Sequence, residues 1–216
     1  MHHSIFNNHP QIQFDILDLH HNVGLAKATN LGVYNAKYEK ILIINDDNIF
    51  PANWNSVLAK YELFNTIISP NQVEPNPSFI TQFIIKDFGI TPDTFQLDDW
   101  IEYSKTLNGN TDDTGSTLPI YINKFKYLAL GGWDENYPGP WVTDWDFFLK
   151  ANMHGCDLNR IYDCTFYHFA SAATKTVNKL DTNNRIDQSC HEYARYKWGA
   201  YIKHNPGNNE KYLYYF

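Results

Sequence analysis

The chain has 216 residues and a net charge of −7. Apolar residues make up 43 % and charged residues 19 %, a globular balance at a length that suits one α/β domain with a sizeable core. The pI is near 5.6 and no Lys/Arg cluster forms a basic stripe, which argues against a nucleic-acid-binding domain. Mean hydropathy is −0.48 and no apolar run reaches about 18 residues, so no transmembrane segment is expected. The opening MHHSIFNNHPQ lacks a basic flank before an apolar stretch, so no signal peptide is expected and a cytoplasmic or membrane-peripheral location follows.

Residues 12–19, IQFDILDL, alternate apolar and polar and predict a strand. Residues 24–37 predict a helix that opens at Gly24. The short run KILIIN, residues 40–45, reads as a buried strand of a largely parallel sheet. It ends in Asp46-Asp47-Asn48. Pro51 then suits a helix start, with a helical pattern over 52–63. Strand, helix, strand, helix implies right-handed crossovers, with ligands beyond the strand C-termini, where Asp46 and Asp47 fall.

The stretch SPNQVEPNPSF reads as turn-rich loop. A helix is expected from Thr91, as N-cap, through Trp100 and Tyr103. Residues 107–116 are polar and suit a lid or active-site loop. LPIYIN, residues 118–123, predicts a strand, followed by a short helix that stops at Gly131-Gly132. A Gly/Pro/aromatic loop leads to a helix from Thr143, closed by Gly155. Residues 159–168 predict a strand ending at His168, and 171–199 read as mainly helical. No repeat appears, so 1–216 is expected to be one domain with 171–216 as a helical extension.

Four places carry chemistry. Asp46 and Asp47 are adjacent carboxylates that repel unless something offsets them. A hard divalent cation would do so; Asx turns are the alternative. Thr143-Asp144-Trp145-Asp146 matches a capping box, which accounts for Asp146. Asp144, beside a Gly/Pro/aromatic loop, could take a proton from a bound hydroxyl. His168 gains meaning only if the fold brings it to Asp47. Asn22-Val23-Gly24 to Gly32 is a strand-to-helix turn that could receive phosphate. Cys156, Cys164 and Cys190 are odd in number and lack CxxC spacing, so buried free thiols are expected rather than zinc or disulfides.

In this order, the segments HNVGLAKATNLGVYNAKYEKILIINDDNIFPANW and LALGGWDENYPGPWVTDWDFFLKANMHG resemble a family-2-type glycosyltransferase of the GT-A fold. The likeness covers roughly residues 20 to 168. It implies a GT-A-like mixed, mostly parallel sheet flanked by helices, as in nucleotide-diphospho-sugar transferases. It implies metal-dependent, inverting transfer of a sugar (hexosyltransferase-like) from a UDP-, GDP- or dTDP-sugar to a glycan or glycoprotein hydroxyl, as in glycan biosynthesis.

By position, Asp47 and His168 would hold Mn²⁺ or Mg²⁺, with Asn45 first in the family's N-x-D pattern and Asp46-Asp47-Asn48 as an alternative register. Asp144 would be the catalytic base. Gly131, Gly132, Trp133 and Asp134 would shape the donor-sugar and acceptor pocket. Asn22, Gly24, Lys27, Asn30 and Asp46 would lie at the nucleotide, with Lys27 in place of the arginine that Thr29 replaces.

About one strand precedes Asn22, where the family has strand, turn, helix and strand. The resemblance is therefore apparently short at the N-terminus. That motivates the competing expectation of a non-catalytic carbohydrate- or partner-binding remnant. A nucleotidyltransferase would need a Gly-rich basic phosphate loop, which the sequence does not contain.

Overall fold

The computed structural model describes residues 15–77, 82–107, 113–114, 117–169, 180–202 and 214–215. The first helix, α1, runs Leu25–Asn35 and buries Ala26 and Val33. β1 follows at Lys40–Ile43, then the two-residue β2 at Asn48–Ile49 and the short α2 at Trp54–Leu58. β3 spans Thr66–Glu74 and β4 Ile84–Ile85. A 3₁₀ turn at Pro92–Thr94 precedes α3, Leu97–Ser104. β5 is Asp113–Thr114, β6 is Ile120–Asn123 and α4 is Lys124–Ala129. α5 runs Thr143–Met153, β7 Asp157–His168 and α6 Leu180–Trp198. β8, Tyr201–Ile202, pairs with β9, Tyr214–Tyr215.

The main sheet has the order β1-β6-β3-β7-β2, with β4 beside β3 and β5 beside β7. β3 runs parallel to β7 and to β4. The pairs β1–β6, β3–β6, β2–β7 and β5–β7 are antiparallel. The fold is thus α/β with a mixed sheet, but a mainly antiparallel one. The expected parallel majority is corrected. The buried position expected for KILI is corrected too, since β1 is an edge strand whose residues are exposed or half-buried; a short apolar run does not encode the direction of its neighbour.

Alternation along the strands sends side chains to two faces. Ile67, Ile120 and Ile122 meet Val33, Tyr127, Trp133, Phe147 and Phe148 on the face covered by α1, α4 and α5. Ile68 and Tyr121 meet Leu58, Ile161 and Phe166 on the face of α2. A third cluster, Val73, Phe88, Trp100, Tyr167 and Phe169, seats α3. Trp100 also donates its indole N–H to the Phe50 carbonyl, at 2.9 Å, which ties α3 to the chain after β2.

Other local expectations are corrected. Residues 15–19 form no strand and are mostly exposed, while 12–14 lie outside the described residues. The pattern over 52–63 shrinks to one short helix. Thr91 caps the 3₁₀ turn, and α3 is a separate helix. Thr143 does not cap α5; Val142 holds that position with φ +68°, and the Thr143 hydroxyl donates to the Pro140 carbonyl. The loop expected at 107–116 lies largely outside the described residues, as do 171–179.

The largest correction is β3. Its segment carries Pro70 and Asn71 yet is the buried centre of the sheet. Pro70 sits where the β3–β7 register shifts, the kind of irregularity that accommodates a residue without an N–H. The buried polar groups are satisfied from outside the strand. Thr117 N–H donates to Ser69 Oγ, Asn71 donates to the Gln82 carbonyl, and Gln72 donates to that of Leu118.

Candidate active site

Asp47 lies in the turn between β1 and β2, and His168 ends β7. The turn back into β2 pairs that strand with β7 and sets Asn48 opposite His168. Asp47 Oδ1 is 3.3 Å from His168 Nε2. The other ring nitrogen, Nδ1, is 2.8 Å from Glu74 Oε1 at the end of β3. Glu74 is buried, and His168 and Asp47 are largely so. The imidazole is thus held between two carboxylates.

Burial pulls the pKa of His168 down, but hydrogen bonds and charge from Asp47 and Glu74 outweigh it and raise it to about 9. At neutral pH the ring is imidazolium and donates to both sides. A divalent cation at Nε2 would displace that proton.

The donor set fits such a cation. Asp47 oxygen and His168 nitrogen face one another, and Glu74 accepts the far N–H as the outer carboxylate of a metal-bound histidine does. Asp47 and Glu74 lie against opposite ring nitrogens, so they do not converge. Among the described residues no three His, Cys, Asp or Glu side chains form a metal-holding group. The chain would therefore supply a partial shell, completed by ligand oxygens and water. Asp46 is exposed beside Asp47, and Asn45 is half-buried.

A second constellation surrounds the loop after α4. Gly131 and Gly132 adopt φ of +80° and +61°. A Cβ on Gly132 would lie 2.5 Å from Asn30 Oδ1. Asn30, on α1, donates to the Trp133 carbonyl at 2.8 Å and to Glu135 Oε1 at 2.9 Å. It accepts from Trp133 N–H at 3.0 Å and from the Tyr127 hydroxyl at 2.7 Å. All four hydrogen-bonding positions of its amide are used. Asn30 therefore holds the loop, and a nucleotide contact would cost one of these bonds.

An open cleft of about 420 Å³ lies along this loop. Gly131, Trp133 and Asp134 line it, together with Asn30, Lys150 and Lys197. Gly132 contributes its carbonyl, which accepts from Lys150 Nζ at 2.6 Å. Asp134 accepts from Lys197 at 2.7 Å, from Tyr193 at 3.1 Å and from Asn136. Asp146 is fully buried and accepts from Trp198 at 2.7 Å, Lys197 at 3.0 Å and Tyr137 at 3.2 Å. Asp146 thus serves packing of α6 against α5 rather than a cap.

Asp144 sits in the first turn of α5. Burial raises its carboxyl to about 6, against a hydrogen bond from Trp145 N–H that lowers it. An acid poised there can accept a proton near neutral pH. Asn22 accepts from Gly24 N–H in a local turn at 2.9 Å, Gly24 holds φ +85°, and Lys27 is exposed on α1. The three cysteines are buried and free, Cys156 and Cys190 in one core cluster and Cys164 in another.

The sequence brought Asp47 and His168 forward, along with the glycine loop and Asp144. Glu74, Lys150 and Lys197 were missed. Glu74 lay within a segment read as loop, and neither lysine has a local pattern that marks it. No protein-family model matches the chain, and no curated protein matches it.

Proposed function

We propose that the protein is a metal-dependent glycosyltransferase that moves a sugar from a nucleoside-diphosphate sugar to a hydroxyl acceptor with inversion. The observation that carries this reading is the meeting of Asp47 and His168, 3.3 Å apart across the β2–β7 pair, with Glu74 behind the imidazole. A strand-end aspartate and a late histidine form such a pair at the site where a diphosphate-bound Mn²⁺ or Mg²⁺ would sit. The cation, when bound, would offset charge on the departing diphosphate.

The chain's own residues supply the rest. Asp47 and His168 would bind the cation, and His168 would give up its Nε2 proton as it did so. Glu74 would keep the ring turned by accepting from Nδ1–H. Asp144 would take the proton of the acceptor hydroxyl. The Gly131–Asp134 loop would border the sugar, held in shape by Asn30, Lys150 and Lys197. A single displacement with one base gives inversion.

The test is thermal stability with UDP, GDP, dTDP and CMP, each with and without Mn²⁺. A ligand at about 100 times its Kd adds roughly 2.7 kcal/mol, a visible shift. A Mn²⁺-dependent shift with one nucleotide, lost in Asp47→Ala, supports the reading and names the donor class. No shift with any nucleotide overturns it.

A further inference from the structure

We infer that the side-chain oxygen of Asn48 is a third protein donor to the cation that Asp47 and His168 would hold. The inference rests on the metal reading above and extends its donor set to a residue outside the carboxylate–histidine pair.

Asn48 faces His168 in the antiparallel register of β2 and β7. Phe169 N–H donates to the Asp47 carbonyl at 3.1 Å, so the ladder bonds flank the Asn48–His168 pair rather than join it. In such a non-hydrogen-bonded pair the facing side chains come closest. On the other side, His168 meets Glu74 of β3 at 2.8 Å. Glu74, His168 and Asn48 therefore form one polar row across three adjacent strands, with Asp47 against the other ring nitrogen.

Asn48 is 8 % exposed. Its amide nitrogen donates to the Tyr167 carbonyl at 3.4 Å, and its oxygen has no hydrogen-bond partner among the described residues. Turning the amide over would set the oxygen against the Tyr167 carbonyl oxygen, acceptor against acceptor, so the orientation is fixed. A buried acceptor without a donor destabilises a fold and calls for an occupant. Asp47 and Glu74 bring two carboxylates to one histidine ring, so the row is rich in negative charge. That charge favours a cation over a neutral hydroxyl. An amide oxygen is a hard, neutral ligand of the kind that Mn²⁺ and Mg²⁺ accept beside carboxylate.

The experiment is a Mn²⁺ titration followed by electron paramagnetic resonance of the free ion. It is run with Mn²⁺ alone and with Mn²⁺ plus UDP, GDP or dTDP, on the whole chain. Asn48→Ala should bind Mn²⁺ about 10- to 100-fold more weakly, the range seen for supporting groups at metal sites. Metal-free Asn48→Ala loses the unsatisfied oxygen together with the long 3.4 Å bond to the Tyr167 carbonyl, so it should melt close to wild type. A purely structural role predicts the reverse, a lower melting temperature with unchanged affinity.

Should Asn48→Ala fold poorly, Asn48→Asp decides. Affinity equal to or above wild type supports the inference, and lost affinity overturns it. Unchanged Mn²⁺ affinity in Asn48→Ala overturns the role of Asn48 and leaves the Asp47–His168 site standing. A wild-type chain that takes up no Mn²⁺ in any mixture overturns both.

Discussion

Lys197 closes on Asp146 at 2.9 Å, and the same ammonium is 2.7 Å from Asp134. One cation in the last turn of α6 thus holds both the loop that borders the cleft and the helix that carries Asp144. Asp146 has no solvent exposure, and its next cation, Lys150, is 3.9 Å away. Removing the ammonium while leaving the methylene stem takes the nearest cation from a buried carboxylate. Lys197→Met is expected to cost about 3 kcal/mol, as when one partner of a buried pair is removed. Urea denaturation measures the loss, and Lys60→Met, on the surface, should stay within about 0.5 kcal/mol. Hydrogen exchange across 131–137 should accelerate in Lys197→Met alone.

The same clasp sets an acid limit on stability. Partial burial would raise the carboxyl of Asp134, but hydrogen bonds from Lys197 and Asn136 outweigh it and hold it at about 2, against an ordinary 3.8. A lowered folded-state pKa stabilises the fold at pH above the unfolded value, and that contribution fades as pH falls from about 4 to about 2. Melting temperature followed across that window should drop for wild type. In Asp134→Asn the drop should be shallower, from a lower plateau at neutral pH. Parallel curves for the two proteins would count against the assignment.

Gly132 provides a test of the loop itself. Its backbone has φ +61°, and a Cβ would strike Asn30 Oδ1. Gly132→Ala is therefore expected to cost about 1–3 kcal/mol, from backbone strain and displacement of Asn30. Asn30→Ala removes four hydrogen bonds from the same place and should destabilise as well. Because both substitutions damage one hub, the double variant should lose less than the sum of the singles. Additive losses in chemical denaturation would show that the two residues act separately.

These relationships differ in how far the sequence reveals them. α4 and its stop at Gly131-Gly132 were legible, because a helix followed by two glycines is a local signal. α5, closed by Gly155, and β7, a strand pattern that ends at His168, were legible from their own local patterns. β3 was not, since Pro70 and Asn71 argue for a turn. Only the β7 register and the hydrogen bond that Asn71 donates to the Gln82 carbonyl make them part of a buried strand. Misreading that segment also hid Glu74, whose meaning depends on His168, 94 residues away. Strand direction was illegible, because KILI looks the same against either neighbour. The family resemblance sets Asn30 beside a nucleotide. Its four bonds to Tyr127, Trp133 and Glu135 are tertiary and leave no trace in local pattern.

Asp144 allows stability and activity to be set against each other in one variant. Burial raises its carboxyl to about 6, above the ordinary 3.8. An acid whose folded pKa is raised weakens the fold as pH climbs from about 4 to about 6, and the penalty stays constant above that. Asp144→Asn keeps an oxygen to accept from Trp145 N–H and removes the half-buried charge. At pH 7 it should therefore be more stable than wild type, by about 1–3 kcal/mol. Below pH 4 the difference should vanish. Under the transfer reading the same change removes the base, so Mn²⁺-dependent nucleotide binding should persist while turnover falls by about 10²- to 10⁴-fold. Wild-type turnover should itself decline as pH drops through about 6, where the carboxylate takes up its proton. Denaturation curves at pH 3.5 and pH 7 check the first half. A pH–rate profile with a matched nucleotide-binding isotherm checks the second. Full turnover in Asp144→Asn would remove the base assignment, and a variant less stable than wild type at pH 7 would mean the charge is compensated in the fold.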